Sequence, residues 1–137
     1  MLAPAGLLVL MLLGGLAVDS AIALGAQREL ENRIVGAVND ATVLSLTPDE
    51  LQRGPNAEMS PALVQRVVVE RVASAAGNRL VVAPQDVVVE TDLSTASVTV
   101  TAQGSAPYIF AEAIPGRGDR ATVRSQVTAQ LNYRGAQ

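Results

Sequence analysis

Met1-Leu-Ala-Pro-Ala-Gly-Leu-Leu-Val-Leu-Met-Leu-Leu-Gly-Gly-Leu-Ala-Val18 carries no charged side chain, and after a single acid, Asp19, the apolar run resumes as Ala21-Ile-Ala-Leu24. At ~1.5 Å per helical residue, Leu2 to Val18 spans roughly 25 Å and Leu2 to Leu24 about 34 Å, against a hydrocarbon core of about 30 Å. The stretch 1–24 therefore reads as one transmembrane segment. A carboxylate at the centre of such a helix costs about 3 kcal/mol, but near an end it can reach the headgroups. Asp19 is accordingly expected to mark the membrane exit.

Two other readings of the same run compete with a span. Ala21-Ile22-Ala23 resembles the cleavage site of a secretory signal, yet no Lys or Arg precedes the run and the apolar stretch is long for a signal. A buried core helix is the second, and a small domain with its own sheet has little reason to bury a helix that is apolar on every side. Charge sets no orientation, since Arg28 and Arg33 alternate with Glu29 and Glu31.

Beyond Asp19 the helical spacing continues. Leu30, Ile34, Ala37 or Val38, Ala41, and Val43 or Leu44 recur every three or four residues, with Gln27, Arg28, Glu31, Asn32, Asn39 and Asp40 between them. One helix over about Leu2–Leu46 is expected, apolar all round and then amphipathic, so that 25–46 extends the anchor. Leu30, Ile34 and Val38 are the candidate packing positions toward neighbouring subunits.

Residues 47–137 read as an α+β domain. Thr47-Pro48-Asp49-Glu50 has the pattern of a capped helix start, giving a short turn to about Arg53. Ser60-Pro61 repeats the signal before Leu63, Val64, Val67, Val68, Val72 and Ala76, and Gly77-Asn78 is the stop. From Arg79 the period falls to two: Leu80–Val82, then Val87–Asp92 returning as Ser97–Thr101 in a hairpin, then Ala121–Tyr133 with Val123, Val127, Leu131 and Tyr133 on one face. A one-sided antiparallel sheet follows, with the Pro61–Ala76 helix as its nearest cover. Between the last strands, Tyr108, Ile109 and Phe110 form an apolar cluster. Its ordinary role would be to plug the sheet end, and its functional role a contact patch for a membrane surface or partner.

Composition narrows the chemistry. The chain has 137 residues and a formal net charge of −3 from 10 basic and 13 acidic side chains, with no His and no Cys. Every basic side chain is an arginine, and they form no basic block, so nucleic acid is not an expected partner. Without His, Cys or Lys there is no Ser-His-Asp triad, cysteine nucleophile, Schiff-base lysine or His-ligated zinc. Glu90 and Asp92 share a strand face, which a carboxylate pair could use, but they sit at a hairpin end with no aromatic sugar platform nearby. The expectation is a protein without catalytic residues, cofactor or metal.

Gly15-Leu-Ala-Val-Asp19, Gln27-Arg-Glu-Leu30 and Asn39-Asp-Ala41 along the emerging helix resemble the TadE/TadG-like family, with looser likeness at Tyr108-Ile-Phe110, Pro115-Gly116 and the alternating last strand. That family comprises small single-span proteins of the tight-adherence, Flp-type pilus system, regarded as minor pilins or pseudopilins. The resemblance implies a pilin-like fold with a long N-terminal helix and an extracytoplasmic α+β domain. It also implies a cell-membrane location, with pilin-like subunits and pilus assembly platform proteins as partners. The alternative is a membrane-tethered extracytoplasmic binding or sensor domain unrelated to pili.

Overall fold

The computed structural model describes residues 3–45, 60–74, 79–92, 94–95, 97–111, 116 and 118–130. Helix α1, Ala3–Ser45, is continuous over 43 residues. Leu, Ala and Met dominate its first half, all good helix formers, and no proline interrupts it after the first turn, where proline is tolerated. Gly14, Gly15, Gly25 and Gly36 each weaken it by about 1 kcal/mol relative to Ala without breaking it.

The two halves of α1 have different surroundings. Leu7, Leu8, Val9, Leu10, Met11, Leu12 and Leu13 are all exposed, as are Leu16 and Val18. From Ala26 a buried stripe runs through Leu30, Ile34, Ala37, Val38 and Ala41, while Gln27, Arg28, Glu31, Asn32, Asn39 and Asp40 stay in solvent. The three-four spacing thus located the inward face, although Val43 and Leu44 at its expected end are exposed. Residues 26–41 are the spine of the folded domain, sharing one core with the second helix and the sheet.

Helix α2, Pro61–Ser74, starts where the Ser60 carbonyl accepts the N–H groups of Leu63 and Val64, both at 3.1 Å. The run Val67-Val68-Val69 has strand propensity, but burial of Val64, Val68 and Val72 on one helical stripe outweighs it. The α2 stripe packs on α1 and on the first strand. An exposed ion pair, Arg71 to Asp40 at 3.3 Å, also joins the helices and adds little. The expected turn over Thr47–Arg53, the Gly77-Asn78 stop, and the strand-end residues Leu131 and Tyr133 lie outside the described residues.

Three strands, β1 Val87–Asp92, β2 Ser97–Pro107 and β3 Arg120–Gln130, form an antiparallel meander in chain order. The register pairs Val89 with Val100 and Val100 with Val127, placing three valines side by side on the inner face. Val98, Val100, Ala102 and Ala106 are buried there, while Thr99 and Thr128 face outward and share a 3.0 Å hydrogen bond. The sheet is one-sided as the alternation predicts. Its cover is shared: α1 lies over β2 and β3, and α2 over β1.

Strand β2 runs six residues beyond the expected Thr101, because the inward positions Ala102, Gly104 and Ala106 are too small to show a hydrophobic alternation. Their smallness has a cause. A Cβ on Gly104 would lie 2.7 Å from Leu80 Cδ1 and 3.2 Å from the Val81 carbonyl oxygen. Leu80–Val82 crosses at that point, and the strand expected there is reduced to a single antiparallel bridge, Val81 to Ser105. Arg33, nearly buried, pins the crossing by donating to the Leu80 carbonyl at 3.3 Å and pairing with Glu29 one turn earlier.

Candidate membrane-facing site

The apolar half of α1 meets the domain at Ile22, which packs on the core, and at the loop that follows β2. After β2 ends at Pro107, the Tyr108 N–H donates to the Asp119 carbonyl at 2.9 Å, closing the base of the loop that leads toward β3. Two residues of that loop lie on α1. Ile109 and Phe110 donate their backbone N–H groups to one oxygen of Asp19, Oδ1, at 3.1 and 3.2 Å.

Asp19 is completely enclosed, and among the described residues it is the buried charged side chain of the domain. Its second oxygen, Oδ2, is also enclosed and has no hydrogen-bond partner. The carboxylate therefore acts as an internal cap for two loop amides, which corrects the expectation that it would point outward to headgroups. Two oriented backbone N–H dipoles at Oδ1 offset part of the cost of enclosing it.

One turn before Asp19, Gly15 provides the seat for Phe110. A Cβ there would lie 3.3 Å from Phe110 Cβ and 3.4 Å from Cγ, closer than side chains normally pack, so glycine permits the ring to approach the helix. Ile109 and Phe110 nevertheless keep 52% and 46% of their surface exposed. Between Phe110 and the helix is an open groove of about 580 Å³ lined by Leu8, Met11, Leu12, Leu16 and Val18 with both glycines. The next residue, Ala111, is buried.

The candidate packing residues lie elsewhere and face inward. Leu30 and Ile34 are 0% exposed and Val38 3%, all within the chain's own core. They pack against the protein's own α2 and sheet, a correction to the expectation that they meet neighbouring subunits. Exposed apolar positions on this half of α1 are Leu24, Val35, Val43 and Leu44.

The carboxylates considered for chemistry are structural or solvated. Asp92 Oδ1 accepts the Ser94 N–H at 2.8 Å and the Ser94 hydroxyl at 2.5 Å, and Oδ2 accepts the Thr95 hydroxyl at 2.9 Å. The Ser94 hydroxyl, then the Thr95 hydroxyl and the Ser94 amide, hold the Asp92 carboxyl below the usual aspartate range. Glu90 stands exposed on the outer face.

Asp19, Tyr108, Ile109 and Phe110 each stand out in the sequence, but separately and not as one unit. Asp19 and Phe110 are 91 residues apart, and no local pattern could join them. Gly15 was missed as a seat, although adjacent glycines in an otherwise Leu-rich helix are a signal of close approach. The longest apolar helix is long and apolar enough to cross a membrane, with only 6% of its most apolar window buried, which disfavours the core-helix reading. Comparison with protein-family models, curated proteins and solved structures finds no match for the chain.

Proposed function

We propose that this is a membrane-anchored, non-enzymatic component of pilus assembly, a TadE/TadG-like minor pilin or pseudopilin whose domain lies outside the cytoplasm. The observation that supports this most is the divided use of α1. Its first half is almost wholly apolar and largely exposed, touching the domain only toward its C-terminal end, while its second half is the spine of a small α+β domain. A single rigid helix shared between bilayer and domain holds the domain at a fixed distance from the membrane, as a subunit handed from bilayer to assembly requires. The absence of His, Cys and Lys is in keeping with a structural role.

The Asp19 cap also bears on processing. Cleavage after Ala23 would remove the acceptor of the Ile109 and Phe110 amides and the seat of the Phe110 ring. An intact α1 is therefore the form that satisfies the loop. Affinity isolation of the full chain from its native membranes tests the proposal: pilin-like subunits or assembly platform proteins are expected to copurify. Recovery of neither, under conditions that keep other membrane complexes together, would overturn it.

A further inference from the structure

From Pro4 to Ala26, α1 carries only two polar side chains, Asp19 and Ser20. Both are dealt with internally: Asp19 by the loop amides, Ser20 by a 2.8 Å bond to the Leu16 carbonyl. The first polar ring on the helix is Gln27-Arg28. Gly15 lies twelve residues before it, roughly 18 Å deeper along the axis. Phe110 rests on Gly15, so it belongs to the apolar part of the helix by level as well as by character.

The described residues of the loop are graded in the same direction. At its base, Asp119 and Arg120 are exposed, with the Arg120 guanidinium held by Ser105 through bonds of 3.1 Å to the hydroxyl and 3.2 Å to the carbonyl. Tyr108 follows, half-buried, and then the exposed pair Ile109 and Phe110. Charge, then tyrosine, then bare hydrocarbon is the order of groups met on entering a bilayer from water. The groove between Phe110 and α1 is lined almost wholly by hydrocarbon and is continuous with the exposed Leu8–Val18 surface.

We propose that the Ile109–Phe110 pair enters the acyl region of the bilayer beside α1, latched in place by the Asp19 carboxylate, with a lipid chain filling the groove behind Phe110. The loop is thus a second membrane contact, and it seats the domain directly on the lipid surface. It also explains the enclosure of Asp19: a carboxylate at the lipid level costs about 3 kcal/mol when bare, and the loop screens it while supplying two donors. The inference rests on α1 spanning the bilayer but not on any role in pilus assembly.

The protein contains no tryptophan, so single Trp variants report one position each. Full-length Phe110→Trp and Ile109→Trp, reconstituted in phosphatidylcholine vesicles, are compared with Leu10→Trp within the apolar helix and Val88→Trp on the outer face of the sheet. Quenching by lipids brominated along the acyl chain, a blue-shifted emission and protection from aqueous iodide are expected at 109 and 110, as at 10, with the reverse at 88. Adding Asp19→Ala to Phe110→Trp is expected to reduce bromolipid quenching and admit iodide. Iodide quenching without bromolipid quenching at both 109 and 110 would overturn the proposal. So would protection from both quenchers that vanishes on dilution in lipid, the mark of a contact between copies. Failure of Leu10→Trp to respond to bromolipid would overturn the span itself, whereas failure to copurify pilus proteins leaves this contact standing.

Discussion

Replacing Asp19 by Ala strips the acceptor from two loop amides while leaving the helix intact, since Ala is the best helix former. A hydrogen bond to a charged group is worth about 1.5–3 kcal/mol. The opened loop exchanges these bonds for bonds to water at the bilayer surface, so the lower end of that range applies. The two bonds together then stabilise the closed loop by about 3 kcal/mol. Asp19→Asn keeps a neutral acceptor at Oδ1, roughly half as strong, so its cost is about 1.5 kcal/mol. The enclosed Oδ2 has no partner, and the amide nitrogen in its place brings two unpaired donors, so this cost is a lower bound. At 1.4 kcal/mol per factor of ten, local opening should rise roughly a hundredfold for Ala and by at least about tenfold for Asn. Amide hydrogen exchange of residues 108–111 in nanodiscs reads this directly, with the β2 amides from Val98 to Ala102 as an internal reference. Unchanged exchange at 109 and 110 in Asp19→Ala would refute the latch, as would an equal rise across β2, which would mean global destabilisation.

Truncating Leu30, which is fully enclosed between α1, α2 and the sheet, to Ala is expected to cost about 2–5 kcal/mol, measured as a lowered denaturation midpoint of the domain. Gly104→Ala drives a methyl against Leu80 Cδ1 and the Val81 carbonyl, and a loss of about 1–3 kcal/mol with weakened protection of the Ser105 amide is expected. Asp92 has a carboxyl held below the usual aspartate value, so it binds a proton less readily folded than unfolded. Its contribution is present above the unfolded value of about 3.9 and fades as pH falls through the lower folded value. Asp92→Asn should therefore lower stability at neutral pH and flatten the acid limb of the stability profile below about pH 4.

Much of the domain was legible because its signals are local. The stripe Leu30, Ile34, Val38 fixes which face of α1 is inward, and the alternation in β3 fixes its inner face at Val123 and Val127. What the stripe could not reveal is what it faces, since an apolar helix face suits a neighbouring subunit as well as the chain's own sheet. Burial of all three by α2 and the strands resolves that ambiguity. Strand β2 was underestimated because Ala102, Gly104 and Ala106 trade side-chain volume for close approach by Leu80 and α1, and small residues leave no periodic trace. Asp19 was noticed as the lone acid in an apolar run, but its role depends on amides 90 and 91 residues away. Such a contact exists only once the tertiary fold brings the loop to the helix.

Membrane anchoring and the loop latch both require α1 to remain whole, half in lipid and half in the domain. Intact-mass measurement of the native protein, after alkaline extraction of its membranes, tests this directly. A chain that stays in the membrane pellet and retains the segment through Asp19 is predicted. A soluble species beginning at Leu24 would contradict it, because that chain has lost both the anchor and the carboxylate that holds the loop.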